Sequence, residues 1–181
     1  VRWFFTASDT GGATSRWPLY PDPLESPQYF GTMIAPAGFT TTLPVWYWFT
    51  QNTSAAATRA GTRASVYFNG QLYDNVFVRL RGGFTSSGSK KFDFNSGYHC
   101  GINARVGSVE EANLNGSGLG TVDTIIRPAV AFEMFRRAGH PSSECFPVMI
   151  RVNGALDTAS GRGGVAYFVE QVDKRYLERH G

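Results

Sequence analysis

Four cationic side chains flank a segment rich in glycine and serine. Arg79 and Arg81 precede this segment, residues 82–89, and are spaced i, i+2, while Lys90 and Lys91 follow it. Guanidinium, ammonium and free backbone N–H groups all bind phosphate oxygens, and glycine-rich loops present such N–H groups. These residues could therefore form a phosphate-binding site. The alternative is a solvated strand face joined by a plain connecting loop.

Three more charged residues are candidates for the same chemistry. Glu133 could pair with whichever lysine faces inward, or could be an exposed helix carboxylate. Arg127 opposes the helix dipole at a predicted helix start, so an acid or phosphate could hold it. Glu170 and Asp173 flank a strand-to-helix turn. Glu170 could contact a nucleotide or act at a hinge, and Asp173 could be the N-cap of the helix.

The two cysteines, Cys100 and Cys145, do not form a metal-binding pattern. No CxxC occurs, and the histidines do not supply a ligand pattern. His99 directly precedes Cys100, but adjacent side chains on a strand point to opposite faces, which is poor geometry for a shared metal ion. The sequence therefore predicts no zinc site. It leaves two possibilities open, buried thiols or, in an exported protein, one disulfide.

The elements that would position these residues follow from apolar periodicity and turn signals. Strands are predicted at residues 43–50, 64–68, 71–81, 90–94, 112–115, 146–152 and 164–169, and helices at 123–138 and 173–179. Asn69-Gly70 is a strong hairpin signal, because both turn positions favour a positive φ. This order predicts an α+β fold, an antiparallel sheet with helices packed on it. The aromatic run 46–49 is interpreted as core packing or, alternatively, as an adenine platform.

The first predicted helix carries an apolar row at i, i+4 spacing from Ile126 to Ala138. Asp123 is a possible N-cap for it. Pro128 does not fit the middle of a helix, so either the helix begins near Arg127 with the proline in its first turn, which we favour, or it is kinked there.

Composition limits the classes of protein. A chain of 181 residues with 42% hydrophobic residues and a net charge of +3 predicts one folded domain and argues against nucleic-acid binding. No apolar run approaches the roughly 20 residues that span a bilayer. Residues 1–40, rich in proline and aromatics, are predicted to be a lead-in or linker, and 41–181 the domain. Val1 and Gly181 lead us to expect a chain cut at both ends.

Several ordered segments resemble the CotH (spore coat protein H) family. They are VRLRGGFTSSGSKKFDF at 78–94, EEANLNG at 110–116, IRPAVAFEMFRRAGHP at 126–141, VMIRVNG at 148–154 and GVAYFVEQVDKRYLERHG at 164–181. The resemblance spans roughly residues 63–181 and includes several motifs in order, so it is far more specific than one glycine-rich loop.

The resemblance implies the N-terminal half of a divergent protein-kinase-like fold. It implies ATP and Mg²⁺ as cofactors, and transfer of phosphate to serine of a secreted or coat protein, by a secreted or cell-surface, multi-domain bacterial protein. The cofactor-binding residues it suggests are Arg79, Arg81, Lys90, Lys91, Arg127, Glu133 and Glu170. The family's catalytic and metal-binding aspartates are expected beyond the end of this chain, so no catalytic or metal residue is assigned within it.

Two other functions remain open from the sequence. One is a catalytically inert, kinase-like structural or binding module of a large extracellular protein. The other is a carbohydrate- or surface-binding β domain, suggested by the aromatic residues.

Overall fold

The computed structural model describes residues 1–82, 88–116, 126–160 and 163–180. Within these ranges the strands are β1 (Arg2–Trp3), β2 (Phe5–Ser8), β3 (Thr14–Trp17), β4 (Phe30–Gly31), β5 (Val45–Phe49), β6 (Thr62–Phe68), β7 (Gln71–Leu80), β8 (Lys90–Asp93), β9 (Cys100–Asn103), β10 (Gly107–Val109), β11 (Glu111–Gly116), β12 (Cys145–Val152), β13 (Ala155–Leu156) and β14 (Val165–Glu170). The helices are α1 (Thr53–Ala56), α2 (Arg127–Arg137) and α3 (Lys174–His180).

Seven of these strands form a closed barrel. Their order is β12-β14-β11-β8-β7-β6-β5, and β5 returns to pair with β12. That closing pair is parallel, with Val45 opposite Met149 and Trp48 opposite Val152, whereas the other six pairings are antiparallel. Closure leaves these seven strands without a free edge in the sheet.

The predicted β6–β7 hairpin is confirmed. Asn69 and Gly70 both have positive φ, 49° and 83°, as a tight hairpin turn requires. Alternation along β7 then buries Val76 and Val78 completely in the barrel interior, while Phe77 points outward.

Aromatic side chains fill the barrel. Trp46 is fully buried, with ring centroids 4.9 Å from Phe68 and 5.3 Å from Phe92. Trp48 is also buried and packs edge-on to Phe92. The core-packing interpretation of the aromatic run is therefore confirmed for these two tryptophans. The β9–β10 hairpin adds side chains such as Ile102 to the same core, at the barrel end where β8 stops and β11 starts.

The predicted α+β class, a kinase-like sheet with packed helices, is wrong. The described fold is mostly β, a closed barrel with three short helices. The apolar row of α2 is exposed, with Ile126 58%, Val130 48% and Met134 66% accessible, and no residue of α2 is buried. The physical reason is closure: the barrel buries its apolar face against itself, so the sheet does not need helices to cover it.

The beginning of α2 decides one open alternative. The helix starts at Arg127 with Pro128 in its first turn, as favoured from the sequence, and Gly139 after its end has φ 83°. The proposed cap Asp123 lies outside the described residues.

Within the predicted lead-in segment, residues 1–31 contribute two small two-stranded sheets, β1–β4 and β2–β3. It docks on the barrel through Asp74, whose Oδ2 accepts hydrogen bonds from the backbone N–H groups of Gln28 and Tyr29, both at 3.1 Å. The division of the chain at residue 40 stays a prediction.

Both cysteines are free thiols. Burial raises the pKa of Cys100 far above its usual range and that of Cys145 to about 12. Among the described helices, none has the length and apolar character needed to cross a membrane.

Candidate functional site

The β7–β8 pair decides how the four predicted cations are oriented. Arg79 lies opposite Lys91, and Leu80 lies opposite Lys90. Phe92, two residues after Lys90, is fully buried in the barrel core. Side chains alternate along a strand, so Lys90 points inward with Phe92, while Lys91 and Arg79 point outward.

Lys90 is the inward lysine that the sequence could not identify. It is only 5% exposed, and its Nζ donates a hydrogen bond to the carbonyl oxygen of Gly88 at 3.2 Å. Burial lowers the pKa of Lys90, and the charge of Asp157 opposes this effect. A nearby anion stabilises an ammonium group that is buried in this way.

Asp157 is the acidic residue whose charge raises the pKa of Lys90. The sequence analysis did not select this residue. Its side chain is 4% exposed, and Oδ1 accepts a hydrogen bond from Ser160 N at 2.9 Å. Oδ2 is buried and has no hydrogen-bond partner among the described residues. Buried carboxylate oxygens are normally satisfied, so this oxygen is available to a further donor or cation.

The turn that carries Asp157 lies against the ends of β8 and β11. A Cβ on Gly116 would lie 2.2 Å from Ser160 O, and one on Gly88 would lie 2.4 Å from Ala159 O. Glycine is therefore required at both positions for the turn to approach this closely. The turn thereby closes the barrel end at which Lys90 lies.

Arg81 lies at the same barrel end but outside the wall. Its guanidinium donates to Asn115 Oδ1, and its backbone N–H donates to Ser89 O at 3.0 Å. Burial lowers the pKa of Arg81, and the nearby Tyr167 hydroxyl opposes this effect. The intervening residues 83–87, which include most of the predicted anion-binding loop, lie outside the described residues.

Lys91 and Arg79 form an ion-pair ladder on the outer face. Lys91 Nζ lies 2.6 Å from Glu111 Oε1 and 3.8 Å from Asp93 Oδ1, while Arg79 Nε lies 3.5 Å from Asp93 Oδ2. Two cations thus face two carboxylates, so their charges are balanced within the protein.

The two predicted residues on α2 form no hydrogen bond or ion pair with either lysine in the described part of the chain. Arg127 is exposed at the helix start. Glu133 forms ion pairs within its own helix, a close one with Arg136 and one with Arg137 at 2.8 Å. In this structure its carboxylate is therefore engaged by arginines and not by Lys90 or Lys91.

Glu170 lies at the other end of the barrel. It is 5% exposed; Oε2 accepts from the backbone N–H of Glu144 at 3.0 Å, and Oε1 forms a close ion pair with Arg179 of α3. Asp173 Oδ1 accepts from Tyr176 N at 2.9 Å, which confirms the helix-capping interpretation of Asp173. Glu170 thus ties the end of β14 to α3.

Of the seven predicted residues, the structure places Arg79 beside Lys91 on the outer face, and it places Arg81 and Lys90 at one barrel end. Asn115 beside Arg81 and Asp157 near Lys90 are neighbours that the sequence did not indicate. The one local signal for Asp157 was its position four residues after Asn153 in a polar turn, with Ser160 three residues further on. Among the described residues, no group of three or more histidine, cysteine, aspartate or glutamate side chains is placed to hold a metal ion.

Comparison with known families decides the affiliation. Residues 78–181, more than half of the chain, match the family described as CotH kinase protein. The chain belongs to the CotH family. The match begins at the last residues of β7 and contains every predicted site residue, whereas β5 and β6, which close the barrel, precede it. A comparison with curated proteins returned no significant match.

Proposed function

We propose that this chain supplies the phosphate-facing part of an ATP site in a CotH-family protein kinase. The reaction is transfer of the γ-phosphoryl group to serine of a secreted or coat protein. Family membership supports the kinase-like role. The positions of Arg81 and Lys90 at one barrel end support placing the ATP phosphates there.

The environment of Lys90 carries the proposal. Lys91 is neutralised by Glu111 at 2.6 Å. Lys90 is buried, and among the described residues it has one backbone acceptor, at 3.2 Å, and the nearby carboxylate of Asp157, whose Oδ2 has no partner there. Burying an ammonium costs free energy unless an anion compensates. A phosphate group at the barrel end offers that compensation, and Arg81, beside the same end, offers a second, planar donor.

The residues fit the phosphates better than they fit a metal. Mg²⁺ with nucleotides is usually held by one or two carboxylates together with phosphate oxygens, and when bound it neutralises phosphate charge. Asp157 is suited to that role, because its Oδ2 is a hard oxygen that has no hydrogen-bond partner in the described ranges of the chain. The proposal assigns no catalytic base to this chain.

Calorimetric titration of ATP–Mg into three variants tests the proposal. A charge-assisted contact to phosphate is worth about 1.5–3 kcal/mol. Arg81→Ala and Lys90→Met should therefore each weaken binding roughly 10- to 150-fold. Lys91→Met is the matched control, since it removes an ammonium from the adjacent residue, and it should bind within about twofold of the parent.

The alternative, a catalytically inert kinase-like module, gives a different result. If ATP–Mg does not bind the parent, or if all three variants bind like the parent, the cations at this barrel end have a structural role only. If Lys90→Met keeps ATP–Mg binding and Lys91→Met loses it, the phosphates would instead be assigned to the outer face of the sheet.

We propose a secreted or cell-surface location on the same basis, since the resemblance is to kinases of secreted and coat proteins. Fractionation of the source cells, with detection of the chain in the external or envelope fraction, tests this location. Recovery in the cytosolic fraction alone would contradict it.

A further inference from the structure

An aromatic-walled groove lies between the lead-in segment and the barrel, away from the candidate phosphate site. Its volume is about 420 Å³, and its aromatic lining includes Trp3, Phe5, Trp17, Phe30 and Tyr98. One wall comes from the small sheets β1–β4 and β2–β3, and the other from the β6–β7 turn and residues 95–98. Apart from Asn95 and Tyr98, the lining residues precede the part of the chain matched by the CotH family.

The aromatic side chains around this groove are unusually exposed. Phe5 is 61% accessible, Trp17 52%, and Trp3 and Tyr98 39% each. A single exposed apolar side chain is ordinary, but several around one concave surface mark a binding site. Phe5 and Trp17 are also directly opposite each other on β2 and β3, so their positions are held by strand pairing.

The groove carries no free charge in the part of the chain that the structure describes. No lysine or arginine lines it, and its one carboxylate, Asp74, is 4% exposed. Both oxygens of Asp74 are engaged, Oδ2 by the backbone N–H groups of Gln28 and Tyr29 and Oδ1 by the hydroxyl of Ser65 at 2.5 Å. Arg2 lies at the border of the groove, 3.8 Å from Asp74 Oδ1, but it is not among the lining residues. The lining itself therefore offers no free counterion and favours a neutral ligand.

The polar lining selects a ligand that donates hydrogen bonds. Asn95 is 4% exposed, and its Nδ2 donates to Asp74 O at 2.7 Å, which fixes the orientation of the amide. Its Oδ1 is enclosed by protein and has no partner among the described residues, so a ligand reaches it only if the side chains that cover it shift. Hydroxyl groups can donate to such an acceptor. A proline-rich segment, the other common occupant of aromatic grooves, has carbonyl acceptors and no N–H at its prolines.

We propose that this groove binds a neutral oligosaccharide. A pyranose ring presents a face of C–H groups whose partial positive charge suits the negative face of an aromatic ring, and hydroxyls that donate at the ring edge. The exposed rings of Trp17 and Phe5 supply the stacking surface, and the amide of Asn95 the polar contact. This inference is independent of the ATP site.

Calorimetric titration of the intact chain with four neutral hexasaccharides, cellohexaose, laminarihexaose, maltohexaose and chitohexaose, tests the proposal. Decaproline serves as the competing probe. At least one sugar should bind with a Kd at or below about 1 mM. Trp17→Ala and Phe5→Ala should each weaken that binding roughly 2- to 10-fold, and the double variant should abolish it.

The matched control is Phe135→Ala, which removes an equally exposed aromatic ring, 58% accessible, from α2. It should bind like the parent. Thermal melts establish whether each variant folds. If Trp17→Ala does not fold, Phe5→Ala still tests the proposal, because Phe5 is the most exposed of the lining aromatics given above. Binding of decaproline alone, of none of the probes, or equal loss in Phe135→Ala would overturn the proposal.

Discussion

At the scale of single residues, Lys90 and Lys91 are neighbours in sequence with opposite environments. Burial lowers the pKa of Lys90, so below that pKa the folded protein holds a charge whose burial costs free energy. As pH rises toward the ordinary lysine value of about 10.4, the folded state releases this proton before the unfolded state does, and the penalty disappears.

We therefore predict that Lys90→Met raises the free energy of unfolding most near pH 7. The difference between variant and parent should shrink as pH increases toward about 10. Urea denaturation of both proteins at several pH values between 7 and 10 measures this difference. A difference that stays constant, or grows with pH, would show that the Lys90 ammonium is well compensated in the folded state.

Glu170 gives a second prediction at this scale. Both of its oxygens are engaged, by Glu144 N and by Arg179, so Glu170→Gln should cost about 1–3 kcal/mol of stability, since it weakens a buried ion pair. Glu178→Gln is the control, because Glu178 pairs with Lys174 at an exposed position and should change stability little. ATP titration adds a second readout: if Glu170→Gln loses ATP binding without losing stability, the nucleotide role suggested by the sequence is the better one.

The sequence could predict which residue types make the candidate site but not which way they point. Strand alternation at Lys90 and Lys91 shows that one side chain faces inward, but the choice depends on which face closes into the barrel. Asp157 was not predictable, because its proximity to Lys90 arises from a turn more than 60 residues away in sequence. Local patterns do not encode such contacts.

At the scale of elements, the seven strands of the barrel were predictable within two residues, whereas the short strands β1 to β4 and β13 were not predicted. The KKFDF strand and the Asn69-Gly70 hairpin were placed correctly because their signals are local. The β9–β10 hairpin was missed, since its strands are short and lie in a stretch rich in glycine and asparagine. The parallel pairing of β5 with β12, which closes the barrel, was also missed. It joins residues about 100 positions apart, and no apolar periodicity reports such a pairing.

The exposed apolar row of α2 leads to a prediction about this element. Val130 and Met134 are 48% and 66% accessible, so replacing both with glutamine should leave the melting temperature nearly unchanged. The double variant should bind less of an apolar fluorescent dye than the parent, because these side chains form a continuous apolar patch on the helix. Leu177→Gln on α3, where Leu177 is 61% accessible, is the control for loss of one exposed apolar side chain.

A fall of several degrees in the melting temperature of the Val130→Gln/Met134→Gln variant would contradict this description of α2. It would mean that the apolar row is buried in the folded protein in solution. Thermal melts at several protein concentrations would then distinguish burial within one molecule from burial between molecules, because only the second depends on concentration.

At the scale of the whole molecule, the barrel is larger than the part that the family match covers. Strands β5 and β6 precede residue 78, and they contribute the fully or nearly fully buried side chains of Trp46, Trp48 and Phe68. Without these strands, β7 and β12 would both become open edges, and the aromatic core on Phe92 would lose its partners. The family-matched segment, residues 78–181, therefore lacks the two strands, β5 and β6, that close its barrel.

We predict that residues 41–181 fold cooperatively, whereas residues 78–181 do not. Removing a buried tryptophan or phenylalanine side chain costs about 3–5 kcal/mol, so the loss of three such residues, about 9–15 kcal/mol, is comparable with the whole stability of a typical domain, about 5–15 kcal/mol. Thermal unfolding followed by near-ultraviolet circular dichroism measures this, because fixed aromatic packing gives the signal and loose packing loses it. Trp46→Ala in the 41–181 chain is an intermediate control, which should lower the melting temperature without abolishing the transition. A cooperative melt of 78–181 would show that the family-matched segment is a self-sufficient folding unit and that β5 and β6 only cover it.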